Sequence, residues 1–304
     1  MENFRAQVAL KSPITRYHCG LKIHLMKYIV LFTLLSGIAT GVSGQFYFKD
    51  ILSTQAANLR FANFKKQKVK DIQFKSFDAD GNPIEGFISD QQFSKDYSKV
   101  STSTTTSLTG STLSTSYYNA QSRLVRTVDT SDGSHTEVNY EYAADGQVAV
   151  IKNITTSAGN FSISEEHKWF YTANGKPAHM LKIKNNKDTT IVEFVLDANG
   201  NVEEEKSSFK GSALPSVYYY YNEEKQLTDI VRYNRAAKRL LPDYIFEFDE
   251  NNRLGSQLVV PEGTSNYQKW YYSYDEDGLK IQDACYSKEK TLIGRVEYHY
   301  SYFQ

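Results

Sequence analysis

Alternating apolar and polar side chains recur through most of the chain after residue 117, and each alternating stretch closes on a large anchor side chain. A turn of Asp, Asn or Gly residues follows the anchor at once, as in the Asp-Glu-Asp-Gly string behind Tyr274. A period of two predicts β-strands, and residues that tolerate positive φ predict tight turns between them. The anchors are Tyr118, Tyr142, Tyr171, Leu196, Tyr221, Phe248, Tyr274 and Tyr302.

Successive anchors lie 24, 29, 25, 25, 27, 26 and 28 residues apart. A strand rises about 3.3 Å per residue, so about 26 residues allow two strands of about eight or nine residues and two turns. Each repeat is therefore expected to be one β-hairpin. The predicted fold class is all-β: an antiparallel meander of repeated hairpins that forms a long curled sheet, with one short N-terminal helix.

The residues two and four positions before each anchor share its face of the strand, because strand side chains alternate. The members two positions back are Tyr140, Trp169, Phe194, Tyr219, Phe246, Tyr272 and Tyr300. The members four positions back are Val138, His167, Val192, Val217, Tyr244, Trp270 and Tyr298. So large an aromatic column must be kept from water, because soluble proteins rarely expose apolar patches beyond a few hundred Å². Curling of the sheet over this column, with the helix as a lid, is the arrangement that the pattern favours.

Residues 45–66 have a different pattern, because their apolar side chains recur at spacings of three and four. Phe48, Ile51, Leu52 and Leu59 fit this spacing, and it predicts one amphipathic helix. Residues 69–77 resemble a first, degenerate copy of the repeat and lead into a turn at 78–83. The Ser- and Thr-rich stretch 98–116 is either a flexible linker or a polar hairpin, and its β-branched Thr residues favour the hairpin.

The N-terminus contains an internal Met26-Lys27 start, an apolar run over 29–39 and the small residues Ser43 and Gly44. This order is typical of a cleaved signal peptide, and the apolar run is short for a membrane span. An uncleaved anchor helix is the alternative. The predicted organisation is an upstream extension at 1–25, a signal peptide at 26–44, a helix with degenerate hairpins at 45–116, and the repeat domain at 117–304. The expected location is secreted, periplasmic or at the cell envelope.

The composition supports strands, because 23 Tyr and 17 Phe accompany a mean hydropathy of −0.52. Without residues 1–44 the chain has 30 Lys and Arg against 34 Asp and Glu, a balance of −4. This balance predicts neither nucleic-acid binding nor a polybasic membrane patch. Cys285 is then the single remaining cysteine, and a small buried apolar side chain is its expected role, with intermolecular pairing or reactivity as the alternative.

The turns carry a more specific signature, in which the anchor is followed by Asp or Asn, two variable residues, a small or turn-forming residue, a polar residue and Leu or Val. Tyr118 to Leu124 and Phe248 to Leu254 follow it closely, and the stretches after Tyr142 and Leu196 follow it more loosely. This string resembles the YD (RHS-type) repeats of secreted bacterial proteins, and the end of the signal peptide resembles those of Bacteroidetes. The resemblance implies hairpins that build long curling β-sheets.

The sequence contains no catalytic or metal-binding motif that outweighs a structural explanation. Ser287 and Lys290 match a Ser-x-x-Lys pattern without its companion motifs, so a solvated turn is favoured. Asp78 and Asp275 begin strings that could suggest calcium, but Asp-Gly pairs are typical of hairpin turns and a distal bidentate carboxylate is missing. His167 is expected to be a core histidine bonded to a neighbour, since no proton-transfer partner is identifiable. No cofactor is expected.

The aromatic column suggests either a core ladder of cross-strand pairs or a platform for sugars or peptides. The candidate platform residues are Trp169, Trp270, Tyr219, Tyr244 and Tyr272. The favoured hypothesis is a secreted, non-enzymatic binding or structural module with an unidentified protein or glycan partner and no transmembrane segment after signal cleavage. The alternatives are an outer-membrane β-barrel, which would need an apolar band on every strand, and a glycan- or peptide-handling enzyme with paired carboxylates.

Overall fold

The computed structural model describes residues 46–304, except 108, 132, 158, 160, 236 and 262–265, so the predicted extension and signal peptide lie outside the described residues. The described part contains one helix, α1 (Lys49–Lys66), and nineteen strands. The strands are β1 (Val69–Asp78), β2 (Ile88–Phe93), β3 (Lys99–Thr106), β4 (Gly110–Tyr118), β5 (Leu124–Ser131), β6 (Ser134–Tyr142), β7 (Val148–Ser157), β8 (Phe161–Tyr171), β9 (Pro177–Lys184), β10 (Asp188–Leu196), β11 (Val202–Phe209), β12 (Ser212–Ala213), β13 (Val217–Tyr221), β14 (Leu227–Asn234), β15 (Arg239–Phe248), β16 (Leu254–Val259), β17 (Gln268–Tyr274), β18 (Lys280–Ser287) and β19 (Leu292–Tyr302).

The sheet closes on itself. Each strand pairs antiparallel with the next, and β19 pairs with β1 from Val69 opposite Tyr302 to Asp78 opposite Gly294. The two-residue β12 lies beside the end of β11, which also pairs with β13, so eighteen of the described strands form the ring. The predicted all-β antiparallel meander with one helix is confirmed, but the expected long curled sheet is instead a closed barrel. A ten-residue β1 pairs with an eleven-residue β19, and this closure leaves no row of unpaired backbone groups at either edge.

The repeat hairpins share one turn geometry, shown here for the turn that follows Leu196. The Oδ1 atom of Asp197 accepts hydrogen bonds from the backbone N–H groups of Asn199 and Asn201, at 2.9 and 2.8 Å. Gly200, between these two asparagines, has a φ of 78°. In three other turns Ser122, Lys225 and Asn252 take this position, with φ of 59°, 63° and 60°. The turn therefore requires positive φ at this position, whichever residue occupies it.

The anchor side chains tie neighbouring hairpins together. The phenol of Tyr171 donates to the carbonyl oxygen of Val148 at 2.7 Å, on the strand before it. The register between β7 and β8 begins only at Val150, so Val148, which pairs with Tyr142 on β6, has no register partner on β8. Three more anchors make the same bond: Tyr142 to Leu124, Tyr221 to Val202 and Tyr274 to Leu254. Tyr300, two positions before the anchor Tyr302, makes it to Lys280.

The column of large side chains faces the interior, as the alternation predicts. Val192, Val217 and Tyr219 are at most 3% exposed, while alternate positions such as Glu141 and Glu193 are exposed. The strands β3 and β4 pair as a hairpin, in agreement with the favoured interpretation of the Ser- and Thr-rich stretch. The interior is thus the core of the molecule, and the outer wall carries both polar side chains and exposed apolar ones such as Phe170, Ile191 and Tyr271.

Helix α1 lies across the end of the barrel at which the anchor turns gather, and its first turn reaches into the interior. Phe61 stacks on Tyr118 with ring centroids 3.5 Å apart, and Asn58 accepts a hydrogen bond from the backbone N–H of Leu124 at 2.8 Å. The predicted helix is present, but its predicted apolar face is partly wrong, because Leu59 is 74% exposed. The buried stripe follows Ile51, Thr54 and Phe61 instead, since these positions turn toward the strand ends.

Candidate functional site

The start of helix α1 is held by a carboxylate from the barrel wall. Phe48 occupies the N-cap position and offers no side-chain cap. Glu205, on β11, accepts the backbone N–H groups of Tyr47 and Phe48 at 2.8 and 3.0 Å, and the hydroxyl of Tyr219 at 2.8 Å. Burial raises the pKa of Glu205 against the lowering effect of these bonds. The wall thus supplies the negative group that a helix N-terminus favours.

A second contact between helix and wall involves His167. Its Nδ1 lies 2.6 Å from a carboxylate oxygen of Asp50, and its Nε2 lies 3.0 Å from a carboxylate oxygen of Glu165. Glu165 also pairs with Lys182 at 3.0 Å. Burial works to lower the pKa of His167, but the two carboxylates raise it to about 9.

These contacts define what the cluster can do chemically. A protonated imidazole between two carboxylates donates from both nitrogens, so it has no lone pair for a metal ion or for proton abstraction. His167 is therefore a positioning residue for helix α1, which agrees with the prediction of a core histidine bonded to a neighbour. Cys285 is fully buried, and burial raises the pKa of its thiol to about 12, so it behaves as a small apolar side chain.

A groove of about 340 Å³ lies between helix α1 and four of the anchor turns. Its volume falls within the range of small-molecule sites. Helix residues form one side, and three anchor rings with aliphatic side chains form the other. The apolar lining consists of Phe48, Ile51, Leu52, Tyr142, Val148, Tyr171, Pro177, Val202, Tyr221 and Leu227. We call this site the helix groove.

The polar lining of the helix groove is basic and rich in amides. Lys176 and Lys225 are its two charged side chains, and no Asp or Glu lies among the described lining residues. Neither lysine forms an ion pair with a described residue. Gln147 donates through Nε2 to the carbonyl of Gly175 at 2.6 Å, and its buried Oε1 has no hydrogen-bond partner among the described residues. The groove therefore offers two cations and one free acceptor.

The five predicted platform residues lie elsewhere, in the barrel interior. Trp169, Trp270 and Tyr219 are 5%, 6% and 2% exposed, and Tyr244 and Tyr272 are partly buried. Trp169 stacks on Phe194, and the other four face the same interior. None of the five lines the helix groove, and their role in binding a ligand stays a prediction.

The sequence pattern did not predict the helix groove or the role of Glu205. The groove rings are anchors, which the repeat pattern identified only as turn markers. Because every anchor precedes a turn at the same end of the strands, their shared position was the one sequence signal that could have indicated the groove. Glu205 lies in a run of three glutamates, and a bulge between Val195 and Leu196 in the register of the β10–β11 pair decides which of the three faces inward. Among the described residues, no cluster of three or more His, Cys, Asp or Glu side chains is arranged to hold a metal ion.

Neither protein-family models nor curated proteins give a match to this sequence. Solved structures give weak ones. The Tc holotoxin pore of Photorhabdus luminescens is 13% identical with a TM-score of 0.31, over 68% of this chain and 11% of the toxin chain. A porin-like protein from Bacteroides uniformis is 9% identical with a TM-score of 0.41, over 77% of this chain and 97% of its own. A porin-like protein from Bacteroides vulgatus is 12% identical with a TM-score of 0.24, over 77% and 99%. The chain spans about a tenth of the toxin chain, and none of these scores bears on function.

Proposed function

We propose that this protein is a non-catalytic binding module of the cell envelope, and that its helix groove holds a small acidic carbohydrate. The observation that carries the proposal is the charge of the groove: Lys176 and Lys225 border it, and no carboxylate side chain lines it. Glu223 and Glu224 precede Lys225 in the same turn but do not line the groove. Two unpaired ammonium groups favour an anionic ligand, because an anion would supply the charge that they lack.

The other contacts in the groove favour a sugar as the body of this ligand. The rings of Tyr142, Tyr171 and Tyr221 offer apolar surface, while their hydroxyls already donate to backbone carbonyls. The free Oε1 of Gln147 can accept a hydrogen bond from a sugar hydroxyl. A ring with one apolar face, several hydroxyls and a carboxylate would satisfy all three kinds of group.

We propose a non-catalytic role because the buried ionisable groups already bind other parts of the protein. His167 is bonded at both nitrogens, and Glu205 receives three hydrogen bonds that hold the helix and Tyr219. Neither group lines the helix groove. A ligand in the groove would therefore meet lysines, amides and rings, which bind a sugar without supplying an acid–base pair.

The test is a calorimetric titration of residues 45–304 with galacturonic acid oligomers and with the neutral galactose oligomers of equal length. We expect the acidic series to bind and the neutral series to bind at least tenfold more weakly. The double variant Lys176→Gln/Lys225→Gln should lose roughly tenfold in affinity for the acidic series, since each exposed ion pair contributes up to about 1 kcal/mol.

The matched control is Lys95→Gln/Lys152→Gln, which removes two exposed positive charges outside the helix groove. It should bind the acidic oligomers as the wild type does. Equal binding of acidic and neutral oligomers, or unchanged binding by the double lysine variant, would contradict the proposed ligand class. Turnover of either series that one Asp or Glu substitution abolished would favour the enzymatic alternative.

An outer-membrane β-barrel is the second candidate, and the closure of the sheet favours it. Eighteen of the described strands form a ring without a free edge, and an even number of antiparallel strands is usual in bacterial barrels of that kind. Among the described residues, no helix is long and apolar enough to cross a bilayer.

The distribution of charge over the two faces of the strands separates the two candidates. A lipid-facing wall needs an apolar band on its outer side. On β8 the residues that alternate with the inward-facing His167 and Trp169 include Glu166 and Lys168, which pair at 2.9 Å. On β11, Glu204 and Lys206 flank the inward-facing Glu205 and pair at 3.2 Å. These outward ion pairs support a wall in water, and we therefore place the binding module first.

Purification of residues 45–304 without detergent decides between the candidates. A monodisperse species of the mass expected for the chain in plain buffer would support the water-exposed barrel. Recovery only in detergent, together with heat-dependent mobility in a denaturing gel, would favour the outer-membrane barrel. Ligand titration then applies to whichever form is isolated, because the helix groove lies at one end of the ring in both.

A further inference from the structure

The hairpin tips at the end of the barrel opposite the helix groove carry an uneven distribution of charge. In an antiparallel meander, alternate connections lie at opposite ends, so the β9–β10, β11–β12 and β14–β15 tips lie away from the turns that line the groove. Six bases lie in or next to these three tips, and we call them the basic arc: Lys184, Lys187, Lys210, Arg235, Lys238 and Arg239.

Almost nothing neutralises the basic arc. Asp188 is the one acidic residue in the sequences of the three tips, and it pairs with Lys210 at 3.4 Å while both side chains remain largely exposed. The other five bases form no ion pair with any described residue. The tips at 106–110, 131–134 and 157–161, further round the same end, contain no Lys or Arg at all. The net charge of the chain hides this concentration on one sector.

Apolar side chains are exposed beside the same bases. Tyr233 and Leu240 pair across β14 and β15, directly before and after the tip, and are 52% and 44% exposed. Leu214, next to the β11–β12 tip, is 41% exposed. A depression of about 310 Å³ lies between these elements and is lined by Leu214, Pro215, Tyr218, Tyr233 and Arg235, among others.

We propose that the basic arc docks the barrel on an anionic lipid surface. Lysine and arginine near a membrane surface favour anionic headgroups, and exposed Tyr and Leu side chains favour the boundary between headgroup and acyl chain. The arc runs from β9 to β15, five strand spacings or about 25 Å. This is much wider than a single small anion, and it matches an extended negative surface.

This docking would leave the helix groove on the side of the molecule that faces away from the lipid. The two sites are at opposite ends of the ring, so each can be removed without the other. The proposal does not depend on the ligand of the helix groove.

The test is sedimentation of residues 45–304 with vesicles of phosphatidylcholine alone and with vesicles of equimolar phosphatidylcholine and phosphatidylglycerol. We expect binding to the anionic vesicles only, weakening as salt rises. Arg235→Ser/Lys238→Ser/Arg239→Ser should lower partitioning by on the order of a hundredfold. Tyr233→Ser/Leu240→Ser should lower it at unchanged net charge.

The matched control removes the same charge elsewhere. Lys95 and Lys99 lie at the opposite end and Lys152 lies on β7, and all three are exposed. Lys95→Ser/Lys99→Ser/Lys152→Ser should keep the binding of the wild type, and circular dichroism should show every variant folded. Equal loss in both triple variants, or equal binding to neutral and anionic vesicles, would overturn the proposal. Binding to soluble heparin without binding to anionic vesicles would overturn it in favour of an anionic polysaccharide.

Discussion

The hydroxyl of Tyr171 donates a 2.7 Å hydrogen bond to the main-chain carbonyl oxygen of Val148, a residue that lies beyond the register of β7 with β8. Four other tyrosines repeat this bond. It gives the tyrosine of the repeat signature a physical role, because a buried carbonyl without a partner is destabilising. Where the anchor is Leu196 or Phe248, no hydroxyl is present to make it.

Tyr171→Phe should lower the free energy of unfolding by about 1–2 kcal/mol, because it removes the bond and strands the carbonyl of Val148. The measurement is the denaturant midpoint at unchanged slope. Tyr220→Phe is the control, since Tyr220 is 48% exposed on the outer wall, and it should change stability by less than about 0.5 kcal/mol. Equal effects of the two substitutions would argue against a structural role for the anchor hydroxyl.

Ser122→Gly should raise the free energy of unfolding by roughly 0.5–1 kcal/mol, because Ser122 holds a φ of 59° that glycine adopts without strain. The opposite change, Gly278→Ala, should destabilise by about 1 kcal/mol. Gly278 has a φ of 74°, and an added Cβ would lie 3.8 Å from its nearest neighbour, so the cost would be conformational. Thermal unfolding of both variants measures the effect, and a destabilised Ser122→Gly would contradict the strain argument.

Phe61→Ala should destabilise the barrel by about 3–5 kcal/mol, because Phe61 is 2% exposed and stacks on Tyr118. Leu59→Ala, two positions earlier on the same helix, should be nearly neutral, since Leu59 is 74% exposed. Chemical denaturation of the two variants measures the difference. Similar losses would mean that the helix packs through the face that the sequence pattern predicts.

The His167 contacts make stability depend on pH. The ordinary pKa of histidine is about 6.5, and the carboxylates of Asp50 and Glu165 raise that of His167 to about 9 despite its burial. The stabilisation is therefore fully present below pH 6.5 and is lost as the pH rises through about 9. We expect the stability difference between wild type and His167→Gln to shrink by roughly 3 kcal/mol over this range.

The control for this pH dependence is His135→Gln, because His135 is exposed on β6. It removes an exposed imidazole, so the comparison separates the Asp50 and Glu165 contacts from the mere loss of a histidine. The experiment is a set of denaturant titrations between pH 6 and pH 10. The same pH dependence in both variants, or a constant difference for His167→Gln, would show that the His167 imidazole does not carry its proton to high pH.

Trp169 and Trp270 provide a direct measure of whether the aromatic column is dry. They are 5% and 6% exposed, so their fluorescence should be blue-shifted and poorly quenched by iodide in the folded protein. Unfolding in denaturant should restore both signals to those of free tryptophan. Strong quenching in the folded state would contradict the inward direction of the column.

The strands and their faces could be predicted because each depends on local alternation. Tyr219 and Trp169 follow the period of two, and this period alone places them inside. The turns could be predicted for the same reason, although the positive φ at Lys225 is visible only in the structure. The resemblance to YD repeats stays a prediction, because the shared hairpin geometry does not identify a family.

The closure of the barrel, the role of Glu205 and the helix groove depend on contacts between distant parts of the chain. Closure joins Val69 to Tyr302, and no local pattern specifies that pairing. Glu205 lies more than 150 residues after the helix start to which it bonds. The bulge that turns its side chain inward cannot be predicted from the alternation of apolar and polar residues. The helix groove arises only once the ring is closed and the helix crosses its end. The wall of the barrel could therefore be predicted from the sequence, and the helix groove could not.

The seam between β1 and β19 has a consequence for the nascent chain. One edge of β1 stays unpaired until β19 is synthesised, more than 200 residues later. Synthesis of that length takes tens of seconds at about 5–20 residues per second. During that time the growing sheet has an open margin that can recruit the same strand of another copy. This topology favours one misfolded product, a swapped assembly in which β19 of one molecule completes the ring of a second.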